Sequence, residues 1–236
     1  MRFLRFVHRC LVRQTMPRLA ARYYDDLIGG IAGFYLEPFR DEIFEAFPGP
    51  ATVLDVGTGP GQLPVMLARG NPLYRVIGVD LSEECLRLGR EHARDSGVAD
   101  RVEFIRADLE KRPLGMPPAD LAVSTCSLHH WRRPVAMLRA ISRLVKPSGQ
   151  IWICDDSAET SDHARREWIA RVEEAARAGW LFRSVFRFES RYLSYGRDEL
   201  GSICERAGLL LTAFDRRAVF FTARMRRKPD LPSKPL

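Results

Sequence analysis

A chain of 236 residues with 46% apolar and 28% charged residues can bury a sizeable single-domain core, and it holds no run near the ~20 apolar residues of a membrane span. Cys10, Cys85, Cys126, Cys154 and Cys204 are scattered without a Cys-x-x-Cys pair, which argues against a disulfide frame or a zinc site and fits a reducing, cytoplasmic setting. The net charge of +7 belongs to the ends: residues 1–22 carry six arginines and no acid, residues 216–236 carry seven Lys and Arg against one acid, and the middle is net acidic.

Residues 1–22 alternate arginines with Phe3, Leu4, Phe6, Val7, Leu11 and Val12, the periodicity of an amphipathic helix. Such a helix suits a cap packed on the domain, a membrane-surface contact or a dispensable extension, and Met16 offers a second start. Tyr23 to Phe47 follows as a helical segment that Gly29-Gly30 and Pro38 are expected to break, so that 1–47 reads as an N-terminal helical cap before a domain over 48–236. Ala51–Val56 is a short buried strand, and Gln62–Arg69 is a helix with Leu63, Met66 and Leu67 at helical spacing. Further strands are expected at 75–80, 101–107, 120–124 and 150–154. Helices fall between them, one capped by Ser82 and one running from Pro134 to Val145 before Lys146-Pro147-Ser148-Gly149.

Residues 157–195 interrupt this alternation. A helix is expected over 164–178, followed by an aromatic stretch with Trp180, Phe182, Phe186, Phe188, Tyr192 and Tyr195 that reads as a lid. A helix over 198–207 ends at Gly208. Strands at 209–214 and 218–223, joined by Asp215-Arg216-Arg217, form an antiparallel hairpin. The alternation predicts an α/β fold of three layers. Its doubly wound sheet has seven strands, parallel except for one antiparallel C-terminal strand.

The stretch Val53-Leu54-Asp55-Val56-Gly57-Thr58-Gly59-Pro60-Gly61 joins strand to helix through a glycine turn. Glycine permits tight dihedrals and close approach of a ligand to backbone, and the helix start directs free N–H groups into the turn. The spacing is Gly-x-Gly-x-Gly and not the dinucleotide Gly-x-Gly-x-x-Gly, and Asp55 would repel a pyrophosphate. A ligand bearing an amino group and a sugar suits it better. Asp80 and Asp108 end the next two strands, and in such a sheet ligands sit beyond the carboxyl ends of the strands. One aspartate alone is commonly a helix cap, whereas three at successive strand ends beside a glycine turn point to a site.

These residues, with Val-Ile-Gly-Val-Asp-Leu-Ser and Arg-Ala-Asp-Leu, resemble the first three motifs of class I S-adenosylmethionine-dependent methyltransferases. Ser127-Leu128-His129-His130-Trp131 and the following Leu138 to Gly149 resemble the fourth region of the branch that holds many small-molecule and quinone methyltransferases. The resemblance covers about residues 45–155 and implies a Rossmann-like methyltransferase fold with S-adenosyl-L-methionine as cofactor. It implies that Gly57, Thr58, Gly59 and Gly61 line the methionine moiety, with Asp55 near its amino group. It implies that Asp80 holds the ribose hydroxyls, Leu81 packs on the adenine, Asp108 and Leu109 bind the adenine edge, and Ser124 or Thr125 lies near the sulfonium. The reaction implied is in-line methyl transfer, driven by proximity and alignment.

His129 and His130 are the candidates for a base that deprotonates the acceptor, against the alternative that one packs on Trp131 and the other is solvated. Tyr23, Tyr24 and Trp131 are candidates for contact with the substrate, against simple core packing. Asp155-Asp156 reads as a loop cap before a metal site, and no resident metal is expected. A small or lipid-like acceptor is the leading expectation, with peripheral membrane contact through residues 1–22. The alternatives are an RNA methyltransferase using the basic ends, and a non-catalytic domain that binds the cofactor to support a partner. The fourth strand lacks the Asn/Asp-Pro-Pro-aromatic signature of base-amine methylation, which disfavours nucleic acid.

Overall fold

The computed structural model describes residues 18–111, 115–176, 188 and 191–228. The amphipathic stretch 1–17 and the aromatic residues Trp180, Phe182 and Phe186 lie outside the described residues. In chain order the elements are helix α1 (Arg18–Ala46), strand β1 (Ala51–Val56), α2 (Gln62–Gly70), β2 (Tyr74–Asp80) and α3 (Glu83–Asp95). Then come β3 (Val102–Arg106), β4 (Ala119–Thr125), a 3-10 turn (Leu128–His130), α4 (Pro134–Arg143) and β5 (Val145–Asp156). The chain continues with α5 (Asp162–Ala176), α6 (Arg197–Ala207), β6 (Leu209–Arg217) and β7 (Phe220–Arg227).

The seven strands form one sheet in the order β3-β2-β1-β4-β5-β7-β6. β1 pairs in parallel with β2 and β4, and β7 runs antiparallel to both β5 and β6. The order reverses beside β1, which opens a crevice at its carboxyl end, where this class of sheet binds ligands. Successive residues of β1 serve opposite layers because strand side chains alternate. Val53 joins the cluster that includes Leu27, Phe39 and Leu63 of α1 and α2, whereas Leu54 joins the one that includes Leu138 of α4 and Leu200 of α6. The fold expected from the alternation, an α/β/α sandwich with one reversed strand, is the fold observed.

Three local expectations are corrected. First, α1 is one helix of 29 residues with Pro38 inside it, not a segment broken at Gly29-Gly30 and Pro38. Its buried stripe of Leu27, Ile31, Tyr35, Leu36, Phe39 and Ile43 runs through both breakers. Packing of that stripe on the sheet outweighs one lost backbone hydrogen bond at proline. Second, β5 starts at Val145, and Lys146–Gly149 form part of it, with a register shift against β4 between Ala119 and Leu121. Lys146 Nζ reaches Asp120 Oδ1 over 2.7 Å there. Third, Asp215-Arg216-Arg217 is not the hairpin turn. These residues belong to β6, where Arg217 pairs with Phe220, so the turn is Ala218-Val219 with Ala218 at φ +54°. The polar triplet resembles a loop because β6 is an edge strand and these three side chains are exposed. Ser82 caps α3 and Gly208 ends α6 in the left-handed region, both as expected.

Candidate active site

The glycine turn is built by backbone conformation. Gly57, Gly59 and Gly61 adopt φ of +73°, +54° and +79°. A Cβ at Gly57 would stand 2.1 Å from Ser127 Oγ, and one at Gly61 would stand 2.5 Å from the Phe104 ring. Turn geometry and close packing thus require glycine at both positions. Gly57 N and Thr58 N share the Val79 carbonyl, at 2.8 and 3.1 Å, which ties the turn to β2.

Asp55 lies beneath this turn, 1% exposed. Its Oδ2 accepts the Thr58 hydroxyl at 2.7 Å, while Oδ1 is buried with no hydrogen-bond partner among the described residues. Burial pushes its carboxyl up to about 7, against the lowering effect of the Thr58 hydrogen bond, and the nearby Asp80 charge adds to the rise. Asp80, at the end of β2, is half-buried. Its Oδ2 accepts Gly59 N–H at 2.9 Å and its Oδ1 accepts Ser82 N–H at 2.8 Å. Its carboxyl is raised by burial, while the amides of Ser82, Gly59 and Leu81 pull it down. Asp80 therefore braces the turn from the neighbouring strand.

Past β3, Asp108 accepts Glu110 N–H at 3.2 Å and pairs with Lys111 Nζ at 2.9 Å, while Leu109 is buried. Leu81 is half-buried and its carbonyl accepts Arg106 Nε at 3.2 Å. Ser124 is buried and donates its hydroxyl to the Val56 carbonyl at 2.7 Å, which fastens β4 to β1. Thr125, half-buried, is the last residue of β4. Asp55, the glycine turn, Asp80 and Thr125 are thus brought to one edge of the sheet.

His129 is buried, and its Nδ1 lies 2.7 Å from Asp155 Oδ1. Asp155 is held in place because Oδ2 accepts Leu128 N–H and Oδ1 accepts Asp156 N–H, both at 2.8 Å. His130 is half-buried with its ring 4.1 Å from that of His129. The two acids following the fifth strand are inside it, and the expected loop cap is instead the anchor of a histidine. His129, Asp155 and Asp156 also form the one group of potential metal-ligating side chains among the described residues, and the His129–Asp155 separation is that of a hydrogen bond.

The three candidates for substrate contact separate. Tyr24 is half-buried and its Cε1 is 3.6 Å from where a Gly59 Cβ would stand, so its ring covers the turn. Tyr23 is 49% exposed. Trp131 is buried in the cluster with Leu109 and Leu138, on the layer opposite α1, with its indole N–H on Ser127 Oγ at 3.1 Å.

Reading along the chain misses the aromatic ladder between α1 and α5. Tyr35 stacks on Phe220 at 5.1 Å, Phe220 meets Trp168 edge-on at 5.1 Å, and Trp168 meets Phe34 at 5.7 Å. Tyr35 is pushed well above its ordinary value by burial, with Cys126, Tyr24, Cys154 and Asp55 adding to it, so it stays a neutral phenol. The Trp168 indole N–H is buried with no hydrogen-bond partner among the described residues. The pairing of Asp155 with His129 follows from topology, since β5, in which Asp155 is next to last, lies parallel to β4, which leads into the turn that carries His129.

A methyltransferase-domain family model matches residues 50–208 of this chain. A ubiquinone/menaquinone biosynthesis C-methyltransferase of Pseudomonas putida strain KT2440 is 32% identical over 153 residues, which is 64% of this chain and 59% of that protein. The chain thus spans about three fifths of the length of the curated relatives it matches. Among solved structures, an S-adenosylmethionine-dependent methyltransferase from Aquifex aeolicus has TM-score 0.61 at 22% identity, covering 79% of this chain and 88% of that one. An O-methyltransferase family 2 protein from Planctomyces limnophilus, solved with apigenin, has TM-score 0.66 at 22% identity, covering 95% and 66%. At these identities the structural likeness concerns the fold.

Proposed function

The chain belongs to the methyltransferase-domain family, and from that premise we propose that it uses S-adenosyl-L-methionine to methylate an apolar small molecule bearing an oxygen or activated carbon. The observation that carries this reading is Asp55. A buried carboxylate oxygen without a partner, under a turn of left-handed glycines, suits the amino group of that cofactor. The residues fit the group. The turn from Gly57 to Gly61 and Asp55 would hold its amino-acid end, and Asp80 its ribose. Asp80 keeps acceptor capacity beyond the amides it already receives, since a carboxylate has about four lone-pair sites. Leu81, Asp108 and Leu109 follow from the next strand ends toward the adenine.

Bound there, S-adenosylmethionine supplies a methyl group already activated for transfer. The chain's own work is to orient the acceptor, exclude water and take a proton. Asp155 accepts at Nδ1 of His129, which fixes Nδ1 as the protonated nitrogen and leaves Nε2 as the basic one. We assign the acceptor's proton to Nε2 of His129. The ring of Tyr24 screens the turn from solvent, and the ladder of Tyr35, Phe220 and Trp168 offers an apolar wall. The unpartnered Trp168 N–H is a donor for an acceptor oxygen. The names of the similar proteins, a quinone-biosynthesis enzyme and one solved with a flavone, agree with an acceptor of this kind.

The test has two parts. Calorimetry should show S-adenosylmethionine binding to the full chain, with binding weakened in Asp55→Asn. Radiolabelled methyl transfer to a panel of quinols, naphthols and flavones should then identify the acceptor. No binding by calorimetry overturns the reading entirely.

A further inference from the structure

His92, in the last turn of α3, presents both ring nitrogens to acceptors. Nε2 is 3.1 Å from Asp25 Oδ2 of α1, and Nδ1 is 3.0 Å from the carbonyl of Pro60 in the glycine turn. An ionised carboxylate and a carbonyl both lack a hydrogen to give. A neutral imidazole has one N–H and satisfies one of them, whereas the imidazolium satisfies both. Asp25 is held from a third side, because Gln62 Nε2 at the start of α2 donates to its Oδ1 and approaches its carbonyl at 3.5 Å. The residues beside this junction belong to the turn. Tyr24 precedes Asp25 and lies over Gly59, and Pro60 stands between Gly59 and Gly61.

We propose that His92 is a positioning residue. As an imidazolium it clamps the start of α1 to the glycine turn and holds the Tyr24 ring over Gly59, and its deprotonation loosens that cover. The consequence for catalysis rests on reading the turn as the cofactor site, while the clamp itself is independent of it.

The groups around His92 set the direction of its titration. From α1 come Asp25 and, along a shared groove of about 620 Å³, Glu37, Arg40 and Asp41, with Arg40 and Asp41 paired at 2.7 Å. From α2 come Gln62 and Arg69. From α3 itself comes Asp95, and Cys85, whose thiol is pushed up to about 11 by burial and stays neutral, interacts with the Asp25 partner. The hydrogen bond to Asp25 raises His92 above its ordinary 6.5, burial opposes this, and the Asp25 charge, the Pro60 carbonyl and Asp95 add to the rise. A histidine raised in this way contributes its full stabilisation below about 6.5 and loses it as pH climbs through the raised value.

The experiment compares wild type with His92→Gln and, as a second variant, Asp25→Asn. Amide hydrogen exchange of residues 18–30 and 57–61 is measured in the ligand-free chain at pH 6 and pH 9, corrected for intrinsic rates. Wild type should be about fivefold better protected than either variant at pH 6, the worth of one hydrogen bond, and the ratio should approach one at pH 9. The wild-type-to-variant ratio of S-adenosylmethionine affinity should follow the same course, and because Asp55 titrates alike in all three proteins it cancels in that ratio. A ratio that stays constant between the two pH values in both variants overturns the clamp. Absence of binding by wild type at any pH would overturn the cofactor reading instead, and the exchange ratio would still decide the clamp.

Discussion

Asp155, next to last in β5, and His129, in the turn that follows the adjacent parallel strand β4, face each other across 2.7 Å, and the acid is pinned by the amides of Leu128 and Asp156. In the proposed mechanism the pair acts as one unit, the carboxylate setting the tautomer and the imidazole taking the proton. His129→Gln and Asp155→Asn should each lower kcat by about 10²–10⁴-fold, the range of general acid–base catalysis, with cofactor affinity unchanged. The double variant should lose little more than either single one. Steady-state kinetics with calorimetry checks this, and full turnover by His129→Gln across pH 5–9 would remove the base.

Asp55 gives a signature in proton counting. Its carboxyl sits at about 7 because burial penalises its charge. A raised group contributes stability that is complete below its unfolded value of about 3.8 and is lost as pH rises through about 7. Ligand-free Asp55→Asn should therefore melt at or above wild type at pH 8, with the difference closing at pH 5. Cofactor binding by wild type at pH 6 should release a proton, seen as a dependence of binding heat on buffer ionisation enthalpy. In the variant that release should vanish and affinity fall by about 10–100-fold, as for a hydrogen bond to a charged group.

Two left-handed glycines separate strain from clash. Gly97→Ala, at φ +66° with open space around it, should cost about 1–2 kcal/mol from backbone conformation alone. Gly61→Ala carries the same penalty at φ +79° and drives a methyl into the Phe104 ring and toward Gly89 Cα at 3.0 Å. Urea denaturation should show the second variant clearly less stable than the first. Equal losses would mean that the Phe104 side chain yields freely.

Trp168 carries an indole N–H that is buried and without a partner among the described residues, a state that costs about 1–3 kcal/mol. Trp168→Phe keeps most of the edge-on contact with Phe220 and removes the orphan. The ligand-free variant should be within about 1 kcal/mol of wild type, because the relief offsets the smaller ring. Its KM should rise for acceptors with an oxygen and stay unchanged for those without one.

Much of the fold is legible in the chain order because its signals are local. The strand Ala51–Val56 is a continuous apolar run, Ser82 is a helix cap, and the acids at 55 and 80 stand where their strands stop. The features that escape are those decided across the sheet. Pro38 reads as a break only until the stripe from Leu27 to Ile43 is seen to pack as one surface. Asp215-Arg216-Arg217 reads as a turn until β6 proves to be an edge. The partners of the candidate site escape for the same reason: Asp155 lies 26 residues from His129, and Pro60 lies 32 from His92. No spacing rule connects such pairs, since what joins them is the order in which strands lie side by side.

That edge has a consequence for how the molecule meets its own kind. An open strand offers unpaired backbone groups to any extended chain that drifts against it. Toward the hairpin tip β6 carries Asp215, Arg216 and Arg217, all exposed, and Arg217 is engaged with Glu42 of α1 at 3.2 Å. Exposed charge at this rim discourages edge-to-edge pairing of strands.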